Sequence, residues 1–108
     1  MPVFNEVRSI DTILSSVLSR KLKDWKKQLI VVDDGSTDGT REKLLQWEKR
    51  CTIMYLPFNQ GKGAALVKGF AAATGDIILI QDADLEYNPD DYAILLEPFS
   101  DDRVDVVY

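Results

Sequence analysis

The apolar positions of this chain change period several times, and each change marks an element. Val7, Ile10, Ile13, Leu14, Val17 and Leu18 recur at helical spacing, with Asn5 or Ser9 placed to cap the first turn. Leu29, Ile30, Val31 and Val32 form an aliphatic run rich in β-branched residues, which reads as a strand ending at Asp33 and Asp34. Residues 35–39 are a turn, and Asp38 is positioned to cap a helix that carries Leu44, Leu45 and Trp47. Residues 52–56 predict another strand, after which a glycine-bearing loop opens a small-residue helix from Ala64 to about Thr74. Ile77, Ile78, Leu79 and Ile80 predict a strand buried on both faces, and the chain's acidic pair follows it directly. Pro89 suits the first turn of a further helix with Tyr92, Leu95 and Leu96 inward, and residues 104–108 read as a last strand.

The resulting order, α-β-α-β-α-β-α-β, predicts a parallel sheet covered by helices on both faces: an α/β, Rossmann-like fold in one domain over residues 1–108. Both acidic clusters follow the carboxyl ends of strands, where open α/β sheets bind their ligands. Residues 2–6 look like the loop leaving a strand, and the chain stops inside another. The expectation is an incomplete domain, truncated at both ends, whose unpaired strand edges favour self-association.

Composition narrows the chemistry. The chain has 108 residues, 45% hydrophobic and 29% charged, enough for one soluble domain with a modest core. There is no run of apolar residues long enough to span a membrane and no signal-peptide pattern, and a cytoplasmic location is expected. The lone Cys51 permits no internal disulfide, and the absence of His removes Ser-His triads and His-based metal sites. Residues 1–50 carry 10 Lys/Arg against 8 Asp/Glu, whereas residues 51–108 carry 3 against 10. The only basic cluster, Arg20, Lys21, Lys23, Lys26 and Lys27, reads as a solvated helix end, and no nucleic-acid partner is expected.

Three stretches carry chemistry. Asp82 and Asp84, two residues apart in extended chain, share a face and converge on one point. A hard divalent cation, Mg²⁺ or Mn²⁺, suits such a pair when substrate phosphate completes its shell. A solvated acidic turn is the plainer alternative. Asp33 and Asp34 at a strand's end can accept from a base N–H or a ribose hydroxyl; a helix-capping turn explains Asp38 but gives neither of these a purpose. Asn59, Gln60, Gly61, Lys62 and Gly63 place glycines before a helix, as anion sites do. They form no Walker loop, because Leu56 and Ala64 occupy positions that require Gly and Ser or Thr, and no dinucleotide fingerprint, because Leu66 replaces the third glycine. Together the three describe a site for a nucleotide diphosphate linked to another group.

These motifs resemble the inverting family-2 glycosyltransferases of GT-A fold, most closely the branch of dolichyl-phosphate mannose synthases and polyprenyl-phosphate glycosyltransferases. The resemblance rests on residues 2–6, 31–40, 59–65 and 81–89, in family order and spacing. It implies that Pro2, Phe4 and Glu6 line the base pocket, that Asp34 hydrogen-bonds the base, and that Lys62 lies near the nucleotide. It also implies that Asp82 and Asp84 hold Mg²⁺ or Mn²⁺ against the donor diphosphate, with Glu86 standing where the branch often has a metal-binding Gln. The implied partners are a UDP- or GDP-linked sugar donor and a lipid-phosphate or saccharide acceptor, in cell-envelope glycan synthesis. Residues that bind acceptor, and any general base, fall beyond Tyr108 in that family, so a donor half-site without turnover is expected. A non-catalytic nucleotide-binding fragment is the alternative. A phospho-acceptor receiver domain matches only Asp33, Asp34 and Asp82 and lacks the required later Lys, and a nucleotidyltransferase lacks its early Gly-rich loop.

Overall fold

A computed structural model describes residues 1–20 and 26–83. Its elements are β1 (Pro2–Val3), α1 (Ile10–Ser19), β2 (Ile30–Asp33), α2 (Thr40–Leu44) with a 3₁₀ turn (Leu45–Trp47), β3 (Thr52–Tyr55) and α3 (Lys62–Ala72). The strands form a parallel sheet in the order β1-β2-β3, pairing Pro2 with Val32 and Ile30 with Thr52. The expected α/β architecture is present, as an incomplete domain. No helix of the described residues is long and apolar enough to cross a membrane.

β2 is buried along its whole length because it is covered on both faces. Its side chains alternate, as pleating requires. Val31 joins Ile10, Ile13, Leu14 and Val17 of α1, Leu44 of α2 and Val3 in one apolar cluster. Ile30 and Val32 pack on the opposite side with Leu56 and Ala65 of α3. The four buried α1 residues follow the i, i+3, i+4, i+7 stripe that the sequence displays. Polar ties fix α2 on α1: the Trp47 indole donates to Asp11 at 2.9 Å, and the Lys43 ammonium donates to the Val7 carbonyl at 2.7 Å.

Two expectations are corrected. The chain does not enter on a helix; residues 1–3 pair with β2, the Val32 N–H donating to the Met1 carbonyl and the Asp34 N–H to the Val3 carbonyl. Nor do Ile77, Ile78, Leu79 and Ile80 form a strand buried on both faces. No ladder forms there, and Ile78 and Ile80 are 48% and 55% exposed. The reason lies in β1. Met1 and Val3 turn their backbone groups toward β2, so Pro2 faces the outer edge, and a proline there has no N–H to offer. The aliphatic run instead borders an apolar cavity of about 510 Å³ beneath α3, opposite Leu66 and Phe70. The expected later helix and last strand, with Tyr92, Leu95, Leu96 and residues 104–108, lie outside the described residues, as do Lys21 and Lys23 of the basic cluster.

Leu14→Ala, at a fully buried position, is expected to lower unfolding free energy by about 3 kcal/mol in urea titrations. Ile78→Ser should cost about 0.5 kcal/mol or less. A large loss at Ile78 would mean that this run is packed as a core strand after all.

Candidate functional site

The loops leaving β1 and β2 interlock through side chains. Asn5, with a left-handed φ of +51°, turns the chain after β1. Its N–H donates to the Ser36 hydroxyl and its side-chain oxygen accepts from the Thr37 N–H, each at 2.9 Å. The Glu6 N–H donates to the Thr40 hydroxyl at 2.9 Å, and the Val7 N–H to the Asp38 carboxylate at 3.3 Å. Asp38 therefore bridges rather than caps in the simple sense: α2 is capped at Gly39, and Asp38 accepts from the Thr40 N–H. Burial works to raise the Asp38 pKa. Hydrogen bonds from the Thr40 hydroxyl and N–H and from the Val7 N–H outweigh it and hold the carboxyl below its ordinary range.

The two acids at the end of β2 point opposite ways and do different work. Asp33 is fully buried toward α2, ion-paired to the Arg41 guanidinium, which also donates to the Leu56 carbonyl and lies over the Tyr55 ring. Asp34 is buried toward α3. One of its oxygens accepts from the Gln60 N–H at 2.7 Å, the other from the Gly61 N–H at 2.9 Å and the Asn59 amide at 3.3 Å. The β3–α3 loop is thus wrapped around a carboxylate. Gly35 makes the approach possible: a Cβ there would sit 2.4 Å from the Asn59 nitrogen and the Phe58 carbonyl carbon, at a φ of +73°.

This wrapping aims α3 at Asp82. Lys62, the first residue of α3, places its ammonium 2.6 Å from an Asp82 carboxylate oxygen. Between β1, Asp34, the Gly61 turn and residues 82–83 lies a cleft of about 330 Å³. Pro2, Phe4, Glu6, Asp34, Lys62 and Asp82, the six residues singled out for nucleotide contact, all line it. Val3, Asn59, Gly61 and Ala83 complete the wall. Of these four, Asn59 and Gly61 were visible as part of the glycine-bearing motif, whereas Val3 and Ala83 carry no chemical signal. Sequence reasoning also missed Arg41, which anchors Asp33 and has no motif around it.

Two of the three residues assigned to a metal, Asp84 and Glu86, lie outside the described residues. Asp82, the third, is an oxygen donor at the cleft wall and is ion-paired with the Lys62 ammonium. Among the described residues no group of three ligands is assembled.

A parallel sheet with an acidic cleft at the carboxyl ends of its strands places the chain in the class of α/β domains that bind ligands at that edge. Comparison makes the class specific. Residues 1–108 match the model of glycosyl transferase family 2, and the chain belongs to that family. It is 35% identical over 114 residues to the undecaprenyl-phosphate 4-deoxy-4-formamido-L-arabinose transferase of Pectobacterium atrosepticum, an overlap covering 99% of this chain and 34% of the relative. It is 34% identical over 104 residues to a dolichyl-phosphate beta-glucosyltransferase of Trichomonas vaginalis, covering 88% and 32%. With the dolichol-phosphate mannosyltransferase of Pyrococcus furiosus it shares 29% over 99 residues, covering 90% and 28%. The chain spans about a third of the length of these relatives.

Gly35→Ala is expected to destabilise the fold by more than about 2 kcal/mol, read by chemical denaturation, because backbone atoms cannot make room for the methyl group. Asp38 gives a pH signature. Its folded pKa is lowered, so its contribution is present above about pH 4 and disappears as the pH falls through the lowered value. Asp38→Asn should therefore show a shallower loss of melting temperature on acidification than the parent protein.

Proposed function

We propose that this chain is the donor-binding portion of a polyprenyl-phosphate glycosyltransferase that takes its sugar from a nucleotide diphosphate. The observation that carries the reading is the convergence of Pro2, Phe4, Glu6, Asp34, Lys62 and Asp82 on one cleft at the strand ends. The family membership and the polyprenyl-linked relatives point the same way.

Each residue has a physically distinct part in this reading. Pro2 and the half-exposed Phe4 offer apolar surface to a base, and a phenyl ring can stack on its face. Asp34 has three hydrogen bonds from the β3–α3 loop, and a carboxylate has about four acceptor positions. One direction is left for a base N–H. The Lys62 ammonium pairs with the donor diphosphate. Asp82, with Asp84 and Glu86, holds Mg²⁺ or Mn²⁺. The bound ion supplies positive charge that stabilises the leaving nucleoside diphosphate. Attack by a phosphate acceptor on the face opposite that leaving group inverts the anomeric carbon, and an acceptor already anionic needs no general base. A saccharide hydroxyl as acceptor would need one. In the longer enzyme the acceptor lipid brings the domain to the inner face of the membrane. Self-association through the outer strand edges belongs to the same proposal.

The test is calorimetric titration with UDP, GDP, UDP-glucose and GDP-mannose, each with and without Mn²⁺. Metal-dependent binding of one nucleotide class is expected, with none in Asp82→Ala. Absence of binding by the folded protein would refute a donor site in this chain.

A further inference from the structure

We propose that Arg41, which lies outside the cleft, positions the cleft wall: it fixes the root of the β3–α3 loop and through it the N–H groups that hold Asp34. Its effect on nucleotide binding rests on the donor-site reading above, whereas its effect on the loop does not. The starting point is how Arg41 divides its guanidinium. Nε pairs with one oxygen of the buried Asp33 carboxylate, and Nη2 donates to the Leu56 carbonyl.

That division is not the one that most stabilises the ion pair. Nε and Nη2 form one edge of the planar guanidinium and can engage both oxygens of a carboxylate side by side, the stronger arrangement. Here Asp33 Oδ2 takes Nε and, at 3.3 Å, the Ser36 N–H. Oδ1 is buried with no hydrogen-bond partner among the described residues. An acceptor left unpaired inside a protein is costly. The nitrogen that could satisfy it is turned to a backbone carbonyl instead. Stabilising Asp33 does not account for that orientation; holding Leu56 does.

Leu56 is the last residue before the loop. Its N–H donates to the Asp33 carbonyl at 2.8 Å and its carbonyl accepts from Arg41. Both of its backbone groups are thus tied to residue 33, one directly and one through the guanidinium. The direction of a carbonyl fixes ψ of its residue, and Pro57 follows with its φ locked by the ring. The path out of β3 is set at this point. The same loop then brings the Asn59 amide and the Gln60 and Gly61 N–H groups onto Asp34. Asn59 and Gly61 line the cleft, and Arg41 is not among its lining residues. The Tyr55 ring, 5.6 Å from the guanidinium carbon and tethered by its hydroxyl to Glu48 at 2.8 Å, gives Arg41 a flat face to lie on.

The experiment is amide hydrogen exchange followed by NMR on the ligand-free chain, comparing Gln60 and Gly61 with Val32 in the central strand. Arg41→Lys keeps a cation opposite Asp33 but has one nitrogen where the structure uses two. It is expected to speed exchange at Gln60 and Gly61 about tenfold more than at Val32. Asp33→Asn keeps an oxygen for Nε and leaves Arg41 on Leu56, so it should change all three amides by a common factor. A common factor in Arg41→Lys as well would overturn the proposal and leave Arg41 a partner of Asp33 only. Calorimetric titration with UDP and GDP in Mn²⁺ reads the consequence at the cleft, where Arg41→Lys is expected to bind about tenfold more weakly than the parent. Faster loop exchange with nucleotide affinity unchanged would overturn the link from Arg41 to the cleft. A parent protein that binds no nucleotide would sink the donor-site reading, and the exchange comparison would still decide whether Arg41 positions the loop.

Discussion

The buried carboxylate of Asp34 is the interaction on which the cleft depends. It stands at the end of the central strand and satisfies the first N–H groups of the turn that launches α3. A carboxylate withdrawn from water is costly unless hydrogen bonds compensate it, and charge-assisted bonds to backbone N–H groups are strong ones. The compensation here comes from one loop only. Remove it and two things fail together: a charge is left unbalanced inside the protein, and Lys62 loses the fixed backbone that aims it at Asp82. Stability and site geometry are thus tied to the same few bonds.

Asp33 shows how pleating divides labour between neighbouring residues. It differs from Asp34 by one position and so faces the other layer, where Arg41 meets it. One acid fastens the helices on the α1–α2 side, and the other organises the loop on the α3 side. The strand between them is apolar on both faces and registers the two halves. The cleft sits where these separately braced loops come together.

The strands of the sheet were legible because runs such as residues 29–32 and 52–56 are short, rich in apolar residues, and bounded by acids or turns. The stripe at Ile10, Ile13, Leu14 and Val17 was legible for the same local reason. Residues 77–80 misled because periodicity describes what a segment prefers, not whether a neighbour offers it donors; the proline at position 2 decides that, from 75 residues away in the chain. The members of the cleft were legible as motifs, since Asp34, Lys62 and Asp82 are polar groups at strand and helix ends. Their mutual use was not. Nothing local in the sequence says that Asp34 is wrapped by Asn59, Gln60 and Gly61, or that Lys62 rests on Asp82, because each pairing joins segments that only the sheet brings together.

The interlock between the β1 and β2 loops has a consequence for how the protein folds. The Asn5, Glu6 and Val7 N–H groups find their acceptors 31 to 34 residues further along the chain. Closing so long a loop is an entropic cost that no local contact can offset, and it is met when β1 docks beside β2. No partly folded form that lacks this parallel pairing can possess the cleft. A nascent chain therefore gains its helices by local contacts but acquires its binding site in one late event, together with its sheet.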